Sequence, residues 1–300
     1  GYLDLDEPFA GLMTQGMVCH QSFKSSNGQW LFPNEVRKSK SGFISAIDNL
    51  PVQAGRVEKM SKSKRNVVDP EEIIKLYGAD TARLFMLSDS PPDRDLEWTE
   101  AGVEGSFKFI NKIFRLSLDA PARPDQKIIS NDLKNFSRDA LGLLKIAHRS
   151  VNVINENIER FAFNKCVAQL HILVNGLSSF KETGEVPDRV KHHVLELLAQ
   201  MLAPFAPHIS EELWFNLGNS ELVSTSPWPY VFDELLNDDR IEVAVQVNGK
   251  VRAKLNLPVD LSKQEAEAAA LSTEEVKKYM SGREIKRVIV VTNRIINVVG

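Results

Sequence analysis

The chain has 300 residues, 43% hydrophobic and 26% charged, with a net charge of −3; this describes a folded protein of two or three domains, neither disordered nor uniformly basic. No apolar run approaches the roughly 20 residues of a membrane span and no signal peptide is legible, so no membrane is expected and a cytoplasmic location is. Cys19 and Cys166 are far apart and lack CxxC spacing, which argues against zinc and against a disulfide framework.

Residues 1–19 are short and mixed. Residues 20–58 are rich in Ser, Gly, Asn and Lys, with strand-like runs at Gln29-Trp30-Leu31-Phe32 and Gly42-Phe43-Ile44-Ser45-Ala46-Ile47. Lys59-Met60-Ser61-Lys62-Ser63 follows, two lysines and two serines crowded into a loop. It leads through Asn66-Val67-Val68 to a helix start: Asp69 as N-cap, Pro70 as the first helical residue and Glu72 as acidic partner. A flexible cationic loop anchored to a capped helix can close over polyphosphate and stabilise charge that develops as a bond breaks.

From Pro70 the period is helical. Ile73, Ile74 and Tyr77 share a face, Gly78 ends the turn, and Asp80 is expected to cap a second short helix that runs through Leu87 to the break at Pro91-Pro92. Val103, Phe107, Ile110, Ile113 and Phe114 recur at steps of three and four, predicting an amphipathic helix. Helices are expected at about 131–159 (Leu133, Phe136, Leu141, Leu144, Ala147 and Val151 facing a core), 162–180, 189–203 and 207–217, an antiparallel bundle. Residues 218–239, with Pro227, Pro229, Asn237, Asp238 and Asp239, read as a linker that lets the following domain vary in angle. Beyond it the period is two: Ile241, Val243, Val245 and Val247 alternate, Asn248-Gly249 is a type I′ turn signal, and Val251, Ala253, Leu255 and Leu257 alternate back. Two short helices (262–271 and 273–280) and two strands (285–291 and 295–299) complete a small α+β domain, 240–300.

The Lys59–Ser63 pentapeptide resembles the second signature of class I aminoacyl-tRNA synthetases. Val68-Asp69-Pro70, Tyr77-Gly78-Ala79-Asp80-Thr81-Ala82-Arg83 and Leu96-Glu97-Trp98 extend the match. Pro204-Phe205-Ala206-Pro207-His208-Ile209 and Glu211-Glu212-Leu213-Trp214 resemble the tRNA-binding bundle of the leucine, isoleucine and valine branch. Leu12-Met13-Thr14-Gln15-Gly16-Met17-Val18 and Gln246-Val247-Asn248-Gly249-Lys250-Val251-Arg252 resemble bacterial-type leucyl enzymes. The chain is therefore read as similar to their C-terminal portion: mostly α with α+β parts. It would comprise a remnant of a Rossmann-type catalytic domain (1–98, with a β-rich insertion at 20–58 and the loop at 59–63), a helix bundle of anticodon-binding type (99–217) and a C-terminal α+β domain for tRNA. The first class I signature, His-x-Gly-His, is absent, as is any threonine-rich editing domain. The chain is thus expected to be a piece, or a subunit of a split enzyme, inactive without its N-terminal half. The alternatives are a free-standing tRNA-binding module with a vestigial ATP loop, and the equivalent part of a valyl or isoleucyl enzyme.

The resemblance implies leucine activation with ATP and Mg2+, followed by transfer to tRNA(Leu), and no zinc in this chain. Lys59 and Lys62 would supply charge opposite the departing pyrophosphate, Ser61 and Ser63 hydroxyls, and Met60 its backbone near the adenine. Lys64 and Arg65 are candidates for the tRNA acceptor end as much as for plain solvated surface. Lys250, Arg252 and Lys254 would project from one face of the hairpin, and with Lys286, Arg287 and Arg294 they are candidate tRNA contacts, to phosphates and shape. Lys108, Lys112 and Arg115 read as ordinary helix surface, Asp80 with Arg83 as a structural ion pair, Trp98 as a packing anchor and His208 as structural.

Overall fold

The computed structural model describes residues 2, 4–236, 240–259, 261–281 and 283–300. Asn237, Asp238 and Asp239 of the expected linker lie outside the described residues. The chain divides into two units, Gly1–Phe232 and Asp233–Gly300.

In the first unit β1 (Val18–Lys24), β2 (Trp30–Leu31), β3 (Val36–Ser39), β4 (Gly42–Ser45) and β5 (Pro51–Lys59) form one sheet in the order β2-β1-β5-β4-β3. It is completed by β6 (Leu96–Glu97), which runs parallel to β1. Strand β1 thus crosses the expected boundary at residue 19. Strands β3 and β5 are not among the sequence expectations, and β5 explains why: only Val52 and Glu58 are half-buried and the rest is exposed, so no alternation marks it. Between Gln21 and Phe23 the β1–β5 register shifts, so that Gly55 and Arg56 face the single Ser22. A Cβ at Gly55 would lie 2.5 Å from Ser22 Oγ.

Helix α1 (Pro70–Tyr77) starts as expected, with Pro70 in its first turn and Asp69 accepting the Glu71 N–H at 2.9 Å. Gly78, at φ +86°, then turns the chain into α2 (Ala79–Ser88). Phe85, Leu96 and Val103 are buried together, with Val18, Ile73, Tyr77 and Trp98 packed against them, and this cluster ties the sheet to the helices. Trp98 stands edge-on to Phe85, ring centroids 5.0 Å apart, a packing anchor as expected.

Helix α3 (Glu100–Leu118) buries Val103, Ser106, Phe109, Ile113 and Ser117. Phe107 and Phe114, expected on the core face, are exposed; Phe109 takes the buried position and stacks on His171 at 3.8 Å. Helix α4 (Arg138–Glu159) begins seven residues later than about 131, because Ser137 accepts the Ala140 N–H at 3.0 Å and caps it. Leu133 therefore sits in a preceding 3-10 turn (Ser130–Asn135) and Phe136 just beyond it, while Leu144, Ala147 and Val151 do face the core. Helices α5 (Phe163–Ser179), α6 (Glu185–Leu202) and α7 (Pro207–Asn216) complete the bundle. Helix α6 starts before Pro187 because a proline is tolerated in a first turn, where N–H groups have no intrahelical partner. Leu144, Ile154, Leu170, Leu173, Leu195, Leu198, Leu202 and Phe205 are essentially inaccessible to solvent.

Residues 218–232 pack with the bundle instead of hanging free. Val223 is buried, Val223 and Ser224 donate their N–H groups to the Glu211 carboxylate, and Gln200 Nε2 donates to the Pro227 carbonyl at 2.9 Å. Phe232 donates its N–H to His148 Nδ1 at 3.2 Å and stacks on that ring.

The second unit is a four-stranded sheet of β7 (Arg240–Val247), β8 (Lys250–Pro258), β9 (Arg287–Val291) and β10 (Ile295–Val299), ordered β8-β7-β10-β9. Helices α8 (Lys263–Ser272) and α9 (Glu274–Met280) connect β8 to β9. Val243, Val245, Val247, Ile296 and Val298 form the core with Ala266, Ala270, Val276 and Met280 from these helices. Asn248 and Gly249 both have positive φ, +49° and +78°, as a type I′ turn requires. Ser262 and Glu265 form a reciprocal capping box at the start of α8.

Candidate functional site

The Lys59–Ser63 loop leaves the end of β5 and closes on itself within a few residues. Met60 donates its N–H to the Val18 carbonyl at 3.0 Å, continuing the β1–β5 ladder one step past the strand. Lys64 N–H reaches the Ser61 carbonyl and Arg65 N–H the Lys62 carbonyl, making a 3-10 turn over Lys62–Lys64 that Arg65 ends in the left-handed region, φ +51°. Ser61 and Ser63 share a hydrogen bond between their hydroxyls at 2.7 Å.

The loop's cations separate into two groups. Lys59 and Lys62 are exposed, and they open onto different spaces. Lys62 and Met60 line a groove of about 970 Å3 together with His20, Val68, Tyr77 and Trp98. Lys59 lines a shallower one of about 530 Å3 with Arg56 and Ser61. The two grooves share Met60, and each lysine lines only one of them. Lys64 and Arg65 are held by the fold: Lys64 pairs with the Glu58 carboxylate, and the Arg65 guanidinium lies 5.1 Å from the centre of the Phe32 ring. Glu58 also accepts from Ser22 Oγ at 2.9 Å and lies near Arg56. The Lys64 hydrogen bond first, and then that of Ser22, hold its carboxyl below the usual carboxylate range.

Two residues that organise this region carry no functional reading in the sequence. Glu58 is one; Asn66 is the other, fully buried and bonded to both ends of the loop. The signal available was slight: a lone Asn after a Lys/Ser run reads as turn chemistry.

The C-terminal basic residues are redistributed by a bulge. The β7–β8 register pairs Val245 with Ala253 and Gln246 with Val251, leaving Arg252 as the extra residue. Directly paired residues share a face. Lys250, opposite Val247, and Lys254, opposite Ala244, therefore lie on opposite faces, which corrects the expectation that residues 250, 252 and 254 project together. Arg252 lies 4.0 Å over the Tyr279 ring, and Lys254 pairs with Glu242 at 2.7 Å. Val247 neighbours Val298, and Val299 pairs with Arg287, so Lys250 on β8 and Lys286 and Arg287 at β9 lie at the same, hairpin end of the sheet, on its two opposite edges. Arg294, in the β9–β10 turn beside Ile295, lies at the other end. Among the described residues, no group of three or more His, Cys, Asp or Glu could hold a metal ion, and no helix is long and apolar enough to cross a membrane.

Comparison with known proteins bears on both halves of this arrangement. Residues 40–99 match the class I tRNA synthetases of the isoleucine, leucine, methionine and valine group, and residues 142–268 match the anticodon-binding domain of tRNA ligases. The leucine–tRNA ligase of Paramagnetospirillum magneticum is 46% identical over 300 residues, 100% of this chain and 34% of the relative. That of Rhodospirillum centenum is 45% identical over 316 residues, 100% of this chain and 36% of the relative. The chain thus spans about a third of the length of these relatives. Among solved structures, the ternary LeuRS-tRNA-LeuAMS complex of Agrobacterium radiobacter K84 agrees at a TM-score of 0.69 and 29% identity, covering 100% of this chain and 34% of that one.

Proposed function

Because the chain belongs to the class I aminoacyl-tRNA synthetases, homologous throughout to leucine–tRNA ligases and corresponding to their C-terminal portion, we propose that it supplies the ATP loop and the tRNA-binding domains of such a ligase. The whole enzyme would activate leucine with ATP and Mg2+ and transfer it to tRNA(Leu) in the cytoplasm. The observation that carries this reading is the Lys59–Ser63 loop, which presents two exposed ammonium groups and two hydroxyls on a base fixed to the sheet.

The loop itself presents cations and hydroxyls, which suit a polyphosphate; Glu58 beside it is engaged by Lys64 and Ser22, and Glu35, Asp69, Glu72 and Glu100 line the larger groove with Lys62. Attack on the α-phosphate expels pyrophosphate, and negative charge grows on the leaving oxygens. Lys62, which lines the larger groove, is the residue this reading assigns to that charge first; Lys59, the last residue of β5 and a lining residue of the smaller groove, is the second. Lys250, Lys286 and Arg287, at one end of the C-terminal sheet on its two edges, are the tRNA contacts this reading favours, acting on phosphates. Arg252 and Lys254, engaged with Tyr279 and Glu242, are second-rank candidates, as is Arg294.

The test is leucine-dependent ATP–pyrophosphate exchange. The purified chain is expected to show none, and adding the remaining two thirds of a leucine–tRNA ligase relative is expected to restore it. Exchange by the chain alone, or none after reassembly, contradicts the proposal.

A further inference from the structure

Asn66 is the most thoroughly engaged side chain in the loop region, and it lies outside the pentapeptide. It has no exposed surface. Its Oδ1 accepts the Ser61 N–H at 2.9 Å. Its Nδ2 donates towards three carbonyls: His20 at 3.1 Å, Glu58 at 3.1 Å and Lys59 at 3.3 Å. One amide thus joins β1, the last two residues of β5 and the first half of the loop. The contacts of the two cations that end the loop are weaker in kind: Lys64 to Glu58 and Arg65 over Phe32 are partly exposed.

We propose that Asn66 is the positioning residue of the ATP loop, the fixed pin about which Lys62 and Ser63 move while Lys59 and Ser61 keep their register on the sheet. This rests on the reading of the loop given above. The reason is geometric. Ser61 and Lys62 follow a strand whose final hydrogen bond is made by Met60, so without Asn66 the Ser61 N–H has no acceptor and the loop hinges one residue earlier. A shift of about 1 Å in a group meeting transition-state charge is worth on the order of a hundredfold in rate. Only an amide performs both tasks. Asp keeps the acceptor and the shape, but it replaces the donor with an oxygen facing three carbonyl oxygens. Ala removes both.

Two measurements on Asn66→Ala and Asn66→Asp test this. The first uses the chain itself, because Lys59, Lys62, Lys64 and Arg65 are all trypsin sites. Both variants are expected to be nicked within 59–65 at least tenfold faster than the parent, as read by mass spectrometry, with cleavage elsewhere unchanged. Leu144→Ala, which loosens the bundle core without touching the loop, should not raise nicking there. The second uses the enzyme reassembled with the remaining two thirds of a leucine–tRNA ligase. There kcat for ATP–pyrophosphate exchange should fall at least tenfold in both variants, with KM for leucine unchanged. Loop cleavage at the parent rate in both variants overturns the proposal, as does a raised KM for leucine with unchanged kcat. A reassembled parent with no exchange contradicts the functional reading instead, and the cleavage comparison still decides the role of Asn66.

Discussion

At residue 80 a buried carboxylate receives the Ile209 N–H at 2.7 Å and the Arg83 guanidinium at 2.6 Å. Sequence reading places Asp80 as the cap of its own helix; in the structure it caps another. Helix α7 begins after Ala206, whose methyl cannot accept a hydrogen bond, and Asp80 supplies the missing acceptor from α2. His208, largely exposed, sits 3.7 Å from the same carboxylate, in the structural role expected of it. Nothing local in Ala79–Arg83 reveals a partner 129 residues away, so this function of Asp80 was not legible, whereas Asp69, which caps its own helix, was. Asp80→Ala is expected to lower stability by about 2 kcal/mol through the lost cap and the lost ion pair with Arg83. Asp80→Asn, which keeps an acceptor towards Ile209, should cost roughly half of that. Denaturant midpoints measure both, and a neutral Asp80→Ala contradicts the assignment.

At the scale of elements, the strap 218–232 is held to the bundle through a histidine pair. His148 Nδ1 accepts the Phe232 N–H, so its proton resides on Nε2, 3.4 Å from His193 Nε2, which must then accept. Both rings are therefore neutral as packed. Burial pushes the His148 pKa down to about 4; burial, then the neighbouring His148, His192, Lys127 and Arg189, push His193 to about 3. Unfolded histidine titrates near 6.5. Below that pH the unfolded chain takes up protons that the folded one refuses, so stability is full above about 6.5 and falls as pH drops towards 4. The slope is about 1.4 kcal/mol per pH unit for each histidine. His193→Asn should flatten the fall in denaturant midpoint between pH 7 and 5 relative to the parent; an unchanged slope contradicts the pairing. Sequence reading takes 218–239 for a linker because of Pro227, Pro229, Asn237, Asp238 and Asp239. The anchors that dock it, Val223 and Phe232, are too sparse to show a period. The hairpin shows the opposite limit: its turn was legible from Asn248-Gly249, but the bulge at Arg252 leaves no mark in an alternating sequence and reverses the face of Lys250.

At the scale of the molecule, what was legible followed from long periodic segments and from turn chemistry: the bundle helices, the final sheet with its two helices, and the capped start of α1. The loop stood out by composition, and its resemblance to a synthetase signature agrees with relatives 45–46% identical over the whole chain. What was not legible needed contacts between distant residues, namely the exposed strand β5, the separate grooves of Lys59 and Lys62, and the pin at Asn66. The central claim is that Lys62 meets the charge that leaves with pyrophosphate. The most direct measurement is the ATP–pyrophosphate exchange rate of the reassembled enzyme carrying Lys62→Ala, beside the thermal midpoint of the variant chain. The account predicts a fall in kcat of about a hundredfold or more with the midpoint unchanged; turnover at the parent rate contradicts it.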